Sequence, residues 1–314
     1  MVHQTTKVIL IFFVFCLNSF SAFAQDDLID MLNNEASEVA RSTYTKATFK
    51  SSRLINGHSI ENIGPGVLDF RIAHRFGLLN EGNNFFGLDQ AKMRLGLEYG
   101  VNHRLMVGIG RSTQEKAIDG FLKYRFMKQT NNEGTKKIPL SITFLAAVDM
   151  NTTTWTDNTY PYYLSHRLAY NFQILMARKF NNSLSLQLMP TLTHKNLVES
   201  TKDKNDILSI GLGGRLKLTN RFALTTEYYY VLPNQIFSYE RRNSLGIGVD
   251  IETGGHVFQL MFTNGNGMIE RQFITQTQDK IQDWSIRFGF NISRVFTISE
   301  KATRRFKEKS TYAQ

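Results

Sequence analysis

The chain has 314 residues, a single cysteine at Cys16, and 37 Lys+Arg against 27 Asp+Glu, a formal charge of +10. One thiol excludes internal disulfides and thiolate metal clusters. The pI near 9.6 comes with no basic helical stripe and no nucleic-acid module, so nucleic acid is not an expected partner.

The N-terminus reads as an export signal. Lys7 is the only charged residue before Asp26, Val8 to Leu17 are apolar, and Ala22-Phe23-Ala24 has the small-x-small form of a cleavage site. Residues 1–24 are therefore expected to be removed, with Cys16 among them, leaving Gln25 as the first residue. A membrane anchor is the rival, but the apolar run is too short to span a bilayer. A lipoprotein signal would need a small residue where Phe15 precedes Cys16. Residues 26–40 pattern as a short amphipathic helix, with Leu28, Ile29, Leu32 and Val39 on one face and Asp26 and Asp27 at its N-terminus. Residues 41–66 are mixed, with turns at Asn56-Gly57 and Gly64-Pro65-Gly66. Three placements are open to this stretch: inside a lumen, at its periplasmic mouth, or as an extra strand.

From Val67 the pattern becomes regular. At 91–99, Ala91, Met93, Leu95, Leu97 and Tyr99 share one parity, and Lys92, Arg94, Gly96 and Glu98 the other. The same alternation returns at 184–193 and at 284–293, where Trp284, Ile286, Phe288, Phe290 and Ile292 oppose Ser285, Arg287, Gly289, Asn291 and Ser293. Strand side chains point alternately to two faces, so each segment has an apolar wall and a wet wall. Twelve such strands are predicted, at 67–77, 90–100, 103–111, 117–127, 138–149, 164–179, 183–194, 206–218, 221–231, 243–252, 256–264 and 283–297. Tight turns and long connections alternate, as in a transmembrane antiparallel up-and-down barrel with turns at one end and loops at the other. Two connections break the rhythm: 111–116 is short where a loop is due, and 127–137 is long where a turn is due. No apolar run of about 18 residues follows the signal, so strands and not helices would cross the membrane. A soluble β-sandwich also alternates, but its strands run nearer 5–6 residues and its loops are not long on one side only. The expected organisation is a signal at 1–24, an N-terminal segment at 25–66, a barrel at 67–298, and a basic tail at 299–314 carrying Lys301, Arg304, Arg305, Lys307 and Lys309.

Several runs carry a family resemblance: Thr48-Phe49-Lys50-Ser51-Ser52-Arg53-Leu54-Ile55-Asn56-Gly57-His58-Ser59, Leu68 to Gly77, Phe86 to Ala91, Val107 to Arg111, and Asp119-Gly120-Phe121. Together they resemble a family of outer-membrane β-barrel proteins typical of Bacteroidetes-type bacteria, catalogued as a domain of unknown function. The resemblance implies a barrel in the outer membrane of a Gram-negative cell. It implies no activity and no site residues. Many outer-membrane barrels end on a terminal aromatic strand, whereas this chain continues from Phe296 into the basic tail.

Candidate functional residues are those on the wet parity: Asp69, Arg71, Arg75, Lys92, Arg94, Glu98, Lys123, Arg125, Arg215, Glu227 and Arg287, with Arg167, Lys217 and Asp250 beside them. Two uses are open. A basic interior attracts small anionic solutes, or opposite charges on adjacent strands pair and fill the lumen, with Arg94 and Glu98 placed to meet Asp69 or Arg71. Gly96, Gly108, Gly110, Gly211, Gly213, Gly246, Gly248 and Gly289 share this parity and leave room for a cavity or for an N-terminal plug. Gly108-Ile109-Gly110 and Gly211 to Gly214 open no helix and precede no Lys-Ser/Thr, so they are not phosphate loops. Ser165 and His166 adjoin and strand alternation would point them apart, so they form no dyad; no Gly-x-Ser-x-Gly elbow exists. His58, His74, His103, His194 and His256 are scattered and read as interfacial or turn residues, not metal ligands. Tyr160, Tyr162 and Tyr163 make the loop 155–163 the candidate for external recognition.

The expected function is a passive channel or small-solute transporter, gated by residues 25–66. The alternative is a structural or interaction barrel with a filled lumen that binds a partner through its loops or N-terminal segment. A lipid enzyme ranks third, and no cofactor or metal is expected. Expected partners are outer-membrane lipid, a small anionic solute and a periplasmic protein.

Overall fold

The computed structural model describes residues 44–80, 87–130, 137–154, 163–253 and 256–300. The expected signal, the helix at 26–40, most of the aromatic loop 155–163 and nearly all of the basic tail lie outside these residues.

Alternation becomes a closed wall. The strands are β1 Val67–Leu78, β2 Lys92–Gly100, β3 Leu105–Ser112, β4 Ile118–Met127, β5 Ser141–Met150, β6 Leu168–Lys179, β7 Leu184–Lys195, β8 Asp206–Lys217, β9 Phe222–Val231, β10 Ser244–Thr253, β11 His256–Thr263 and β12 Arg287–Thr297. Each pairs antiparallel with its sequence neighbours, and β1 closes on β12 from Val67↔Thr297 to Arg75↔Gly289. Closure leaves no edge, the condition for a sheet in lipid. The apolar parity faces outward: Leu95, Leu97, Ile109, Leu122, Leu188, Leu212, Ile247 and Phe262 are each more than a third exposed. The wet parity is buried. This is the inverse of a soluble core, and it identifies the outer solvent as lipid. A cation on the outer face near mid-strand should therefore cost about 2–4 kcal/mol. Leu212→Arg on β8 is expected to lower folding stability in liposome-refolding titrations by that amount, whereas Leu212→Phe should be nearly neutral.

The largest shifts from the predicted starts are at β6 and β12, which each begin four residues late. Leu164–Arg167 form a 3₁₀ turn before β6. Ser165 and His166 therefore sit in a turn and not on opposite strand faces, and Arg167 donates to the carbonyls of Asn151 and Thr153. Before β12, Ile281–Asp283 form a 3₁₀ turn and Trp284 follows with φ +56°. That left-handed conformation breaks the extended chain, so Trp284 and Ile286 precede the strand.

The termini of the wall and the connections β2–β3, β4–β5, β6–β7, β8–β9 and β10–β11 share one end, all of them short except β4–β5, and the connections β1–β2, β3–β4, β5–β6, β7–β8, β9–β10 and β11–β12 share the other, all of them long except β3–β4. In such barrels the first end is periplasmic and the second extracellular. Of the segment left open in sequence, residues 41–66, the part from Thr48 to Ile60 lies inside the barrel, while Lys46 and Ala47 are exposed.

Candidate functional site

A barrel of eight strands can fill its interior with its own side chains, but a wider one cannot. Here two chain segments fill the space. From the periplasmic end, residues 45–61 enter as a hairpin. Arg53 and His58 face each other as an isolated bridge, the amide of Leu54 donates to the Gly57 carbonyl at 2.8 Å, and that of Ser59 to the Ser52 carbonyl at 2.9 Å. The Asn56-Gly57 turn signal is thus the hairpin tip. From the extracellular end, the β11–β12 connection folds inward and carries helix α1, Glu270–Thr275, every residue of which is buried.

An irregular chain inside a barrel brings backbone polar groups that need partners. The wet parity supplies them. Glu227 on β9 accepts from the amides of Ile55 (3.2 Å), Asn56 (3.2 Å) and Gly57 (2.8 Å). Gln259 donates to the Leu54 carbonyl at 2.8 Å, Asn291 to Ile55 at 3.0 Å, and Gln187 to His58 at 2.8 Å. Lys123 donates to the Glu61 carbonyl at 2.5 Å, and Arg125 to Ile60 at 3.4 Å. Arg75 reaches the Ile55 carbonyl (3.2 Å) and the Asn56 side chain (2.9 Å).

The side chains of the tip fit hollows in the wall. A methyl group built on Gly213 would lie 2.4 Å from Leu54 Cδ1, and one on Gly246 2.8 Å from Ile55 Cγ2. The lumen glycines of β8 and β10 are therefore the sockets of the plug. Gly211 instead makes room for Tyr229, and Gly96 and Gly110 for Arg94. Phe49, Leu54 and Ile60 of the hairpin share one apolar cluster with Phe273 and Ile274 of α1 and with Leu175, Met189, Ile207 and Tyr229 of the wall. Gly213→Val should force Leu54 out of its socket. Limited proteolysis from the periplasmic side is expected to cut within residues 45–61 in this variant and to spare them in the native chain.

The charges form a chain from wall to plug. Glu98, fully buried, accepts from Ser52 Oγ at 2.6 Å and lies 3.4 Å from Arg53 Nε and 3.8 Å from Arg71 Nε. Arg71 also pairs with Asp69 at 3.0 Å. Arg53 extends to Glu270 on α1 at 3.0 Å and lies over the Phe121 ring. His58 is also fully buried, edge-on to Phe121 and 3.5 Å from the Glu270 carboxylate. It is neither an interfacial nor a turn residue. Burial, with Arg53, Lys123, Arg94 and Arg71 around it, pushes its imidazole well below the ordinary value. On the extracellular side Arg271 bonds to Asp149 at 2.7 Å and to Glu115.

The candidate residues separate accordingly. Arg71, Arg75, Glu98, Lys123, Arg125 and Glu227 all touch the hairpin. Asp69 acts on it through Arg71. Arg94 does not meet Asp69 or Arg71 but pairs with Asp119 at 2.5 Å, because β4 places that carboxylate across Gly110 from it. Arg287 pairs with Asp279 of the β11–β12 connection at 2.7 Å. Lys92 is half-buried near the extracellular mouth, and Arg215 is buried on β8. Beside the hairpin tip the cavity lined by Arg53, Ile55, Arg75 and Asn291 measures 10 Å³, room for about one water. A cavity of 300 Å³ remains at the periplasmic mouth, between Lys50, Glu61, Asp69, Arg71 and Glu252.

The two irregular connections have a cause in the plug. The long β4–β5 connection receives its start: Tyr44 bridges Thr130, and the Thr45 amide donates to the Gln129 carbonyl at 2.8 Å. The short β3–β4 connection turns through Glu115 (φ +55°), the residue that holds Arg271. Sequence reasoning missed Arg53, Glu115, Asp149, Glu270 and Arg271, none of which a strand pattern singles out for contact with a plug.

Among solved structures the chain is similar to NanC porin (10% identity, covering 73% of this chain and 98% of that one, TM-score 0.45). It is similar to an outer membrane channel from Pseudomonas putida F1 (11%, 76% and 98%, 0.43). It is similar also to an active site mutant of outer membrane phospholipase A from Escherichia coli (12%, 74% and 91%, 0.43). No curated protein matches it. Residues 49–296, from the hairpin to the last strand, match one family, and the chain belongs to it: the membrane-bound beta barrel domain family, DUF5777, a domain of unknown function.

Proposed function

We propose that this outer-membrane barrel is a gated channel for small polar solutes, shut at rest by the hairpin 45–61. The observation that carries the reading is the way the hairpin is held. Its backbone is bonded by wall side chains, it shares no strand ladder with the wall among the described residues, and both of its ends lie at the periplasmic mouth. It can leave without breaking a strand pair, and water can replace most of its polar partners. The wall it would uncover offers Arg71, Arg75, Lys123, Arg125, Lys179 and Arg215 against Asp69, Glu98, Glu227 and Asp250. That surplus of cations favours anions in a pore. The reading needs no catalytic step. Export by a cleaved signal belongs to it, with Gln25 expected at the N-terminus of the purified protein.

Planar-bilayer recording tests the proposal. The intact chain should show no steady conductance, and a chain lacking 45–61 should show a steady, anion-selective one. Steady conductance of the intact chain, or a closed barrel without the hairpin, would overturn it. The fit of Leu54 and Ile55 into glycine sockets favours a second reading, a permanently filled barrel that acts through its loops. That reading predicts that a loosened hairpin stays in place and the barrel stays shut.

A further inference from the structure

The two arms of the plug enter from opposite sides of the membrane and touch each other. Arg53 Nη1 of the periplasmic hairpin lies 3.0 Å from Glu270 Oε1 of α1, and His58 Nε2 lies 3.5 Å from the same carboxylate oxygen. Phe273 and Ile274 pack in the same cluster as Leu54 and Ile60. The outer arm is anchored separately. Arg271 is held by Glu115 and Asp149, and Gln276 donates to Glu115 at 2.9 Å. The inner arm has its own anchor in Glu227. Each arm thus has a wall anchor of its own, and the two arms share the contacts of Arg53 and His58 with Glu270 and one apolar cluster.

We propose that the barrel is a transmembrane relay: whatever displaces the extracellular β11–β12 connection loosens the periplasmic hairpin, and the reverse. The proposal rests on the gated-plug reading and names its regulation. The physical basis is that Glu270 supplies a carboxylate to Arg53 that no other described residue near the tip replaces; Glu98 is the other carboxylate on Arg53, and it is already shared with Arg71 and Ser52. If α1 moves outward, Arg53 loses one of its two carboxylates in a buried site, and the hairpin loses part of its reason to stay. By linkage the coupling must act equally in both directions.

Hydrogen exchange on the full-length protein in lipid nanodiscs tests this, because both arms contain bonded amides. Those of Leu54, Ile55, Gly57 and Ser59 report the hairpin, and those of Phe273 and Gln276 report the outer arm. Glu115→Gln combined with Asp149→Asn weakens only the outer anchor. Exchange should rise by about tenfold at 269–276 and also at 53–59, with the wall strands unchanged. Glu227→Gln weakens only the inner anchor and should produce the reciprocal rise at 269–276. Faster exchange confined to the arm whose anchor was altered would overturn the relay while leaving the gated plug intact. No change in either arm would overturn the anchoring on which the relay depends. A failure of the gated reading shows separately, as steady conductance of the native chain.

Discussion

Glu227→Ala is expected to convert a silent barrel into one that opens spontaneously and often. The carboxylate accepts from three successive amides at the hairpin tip, and all of these groups are buried. Alanine leaves three donors without partners. An orphaned buried donor costs about 1–3 kcal/mol, and a total near 3 kcal/mol would raise the population of the withdrawn hairpin by roughly 150-fold. Single-channel recording should then show frequent openings in place of silence. Glu227→Gln keeps one acceptor oxygen and should lie between the two. A silent Glu227→Ala barrel with normal folding would favour the permanently filled interior.

The second large effect concerns assembly and not gating. Glu98 is the negative centre for Arg53 and Arg71 and takes the Ser52 hydroxyl, and its own exposure is 0%. Removing one partner of a buried ion pair costs about 3–5 kcal/mol, because the remaining charges stay buried. Glu98→Ala should therefore sharply reduce the folded fraction on refolding into liposomes, read as heat-modifiable mobility on gels. Deleting residues 45–61 in the same background removes Arg53 and should restore part of the yield. That rescue separates a charge effect in the plug from simple damage to β2.

The wall was legible in the sequence because lipid and lumen impose opposite demands on alternate residues. Leu95 and Leu97 against Arg94 and Glu98 need no tertiary knowledge to be assigned to two solvents. The late starts of β6 and β12 were not legible, since Leu164 to Arg167 and Trp284 to Ile286 keep the alternation while their backbone turns. The plug was half legible. Asn56-Gly57 announced a turn, and Gly213 and Gly246 announced room on the lumen face, but no local rule says that Leu54 and Ile55 occupy that room. Partners such as Arg53–Glu270, separated by 217 positions, depend on two loops meeting inside a closed wall. Short-range pattern carries no record of such a meeting. Arg94 shows the same limit within the wall: its nearest sequence acid on the lumen parity is Glu98, yet register gives it Asp119 two strands away.

In the proposed channel the hairpin is the moving part of the gate. A reversible lock on its tip tests this most directly. A Cβ placed on Gly246 lies 3.2 Å from Ile55 Cβ, close to the roughly 3.5–4.5 Å found across disulfides. Cys16, the only native cysteine, falls in the expected signal. Ile55→Cys with Gly246→Cys, placed in the Glu227→Ala background, should be silent in a planar bilayer when oxidised and should conduct within the same recording once reductant is added. Equal conductance before and after reduction, in a barrel shown to be cross-linked, would contradict the account.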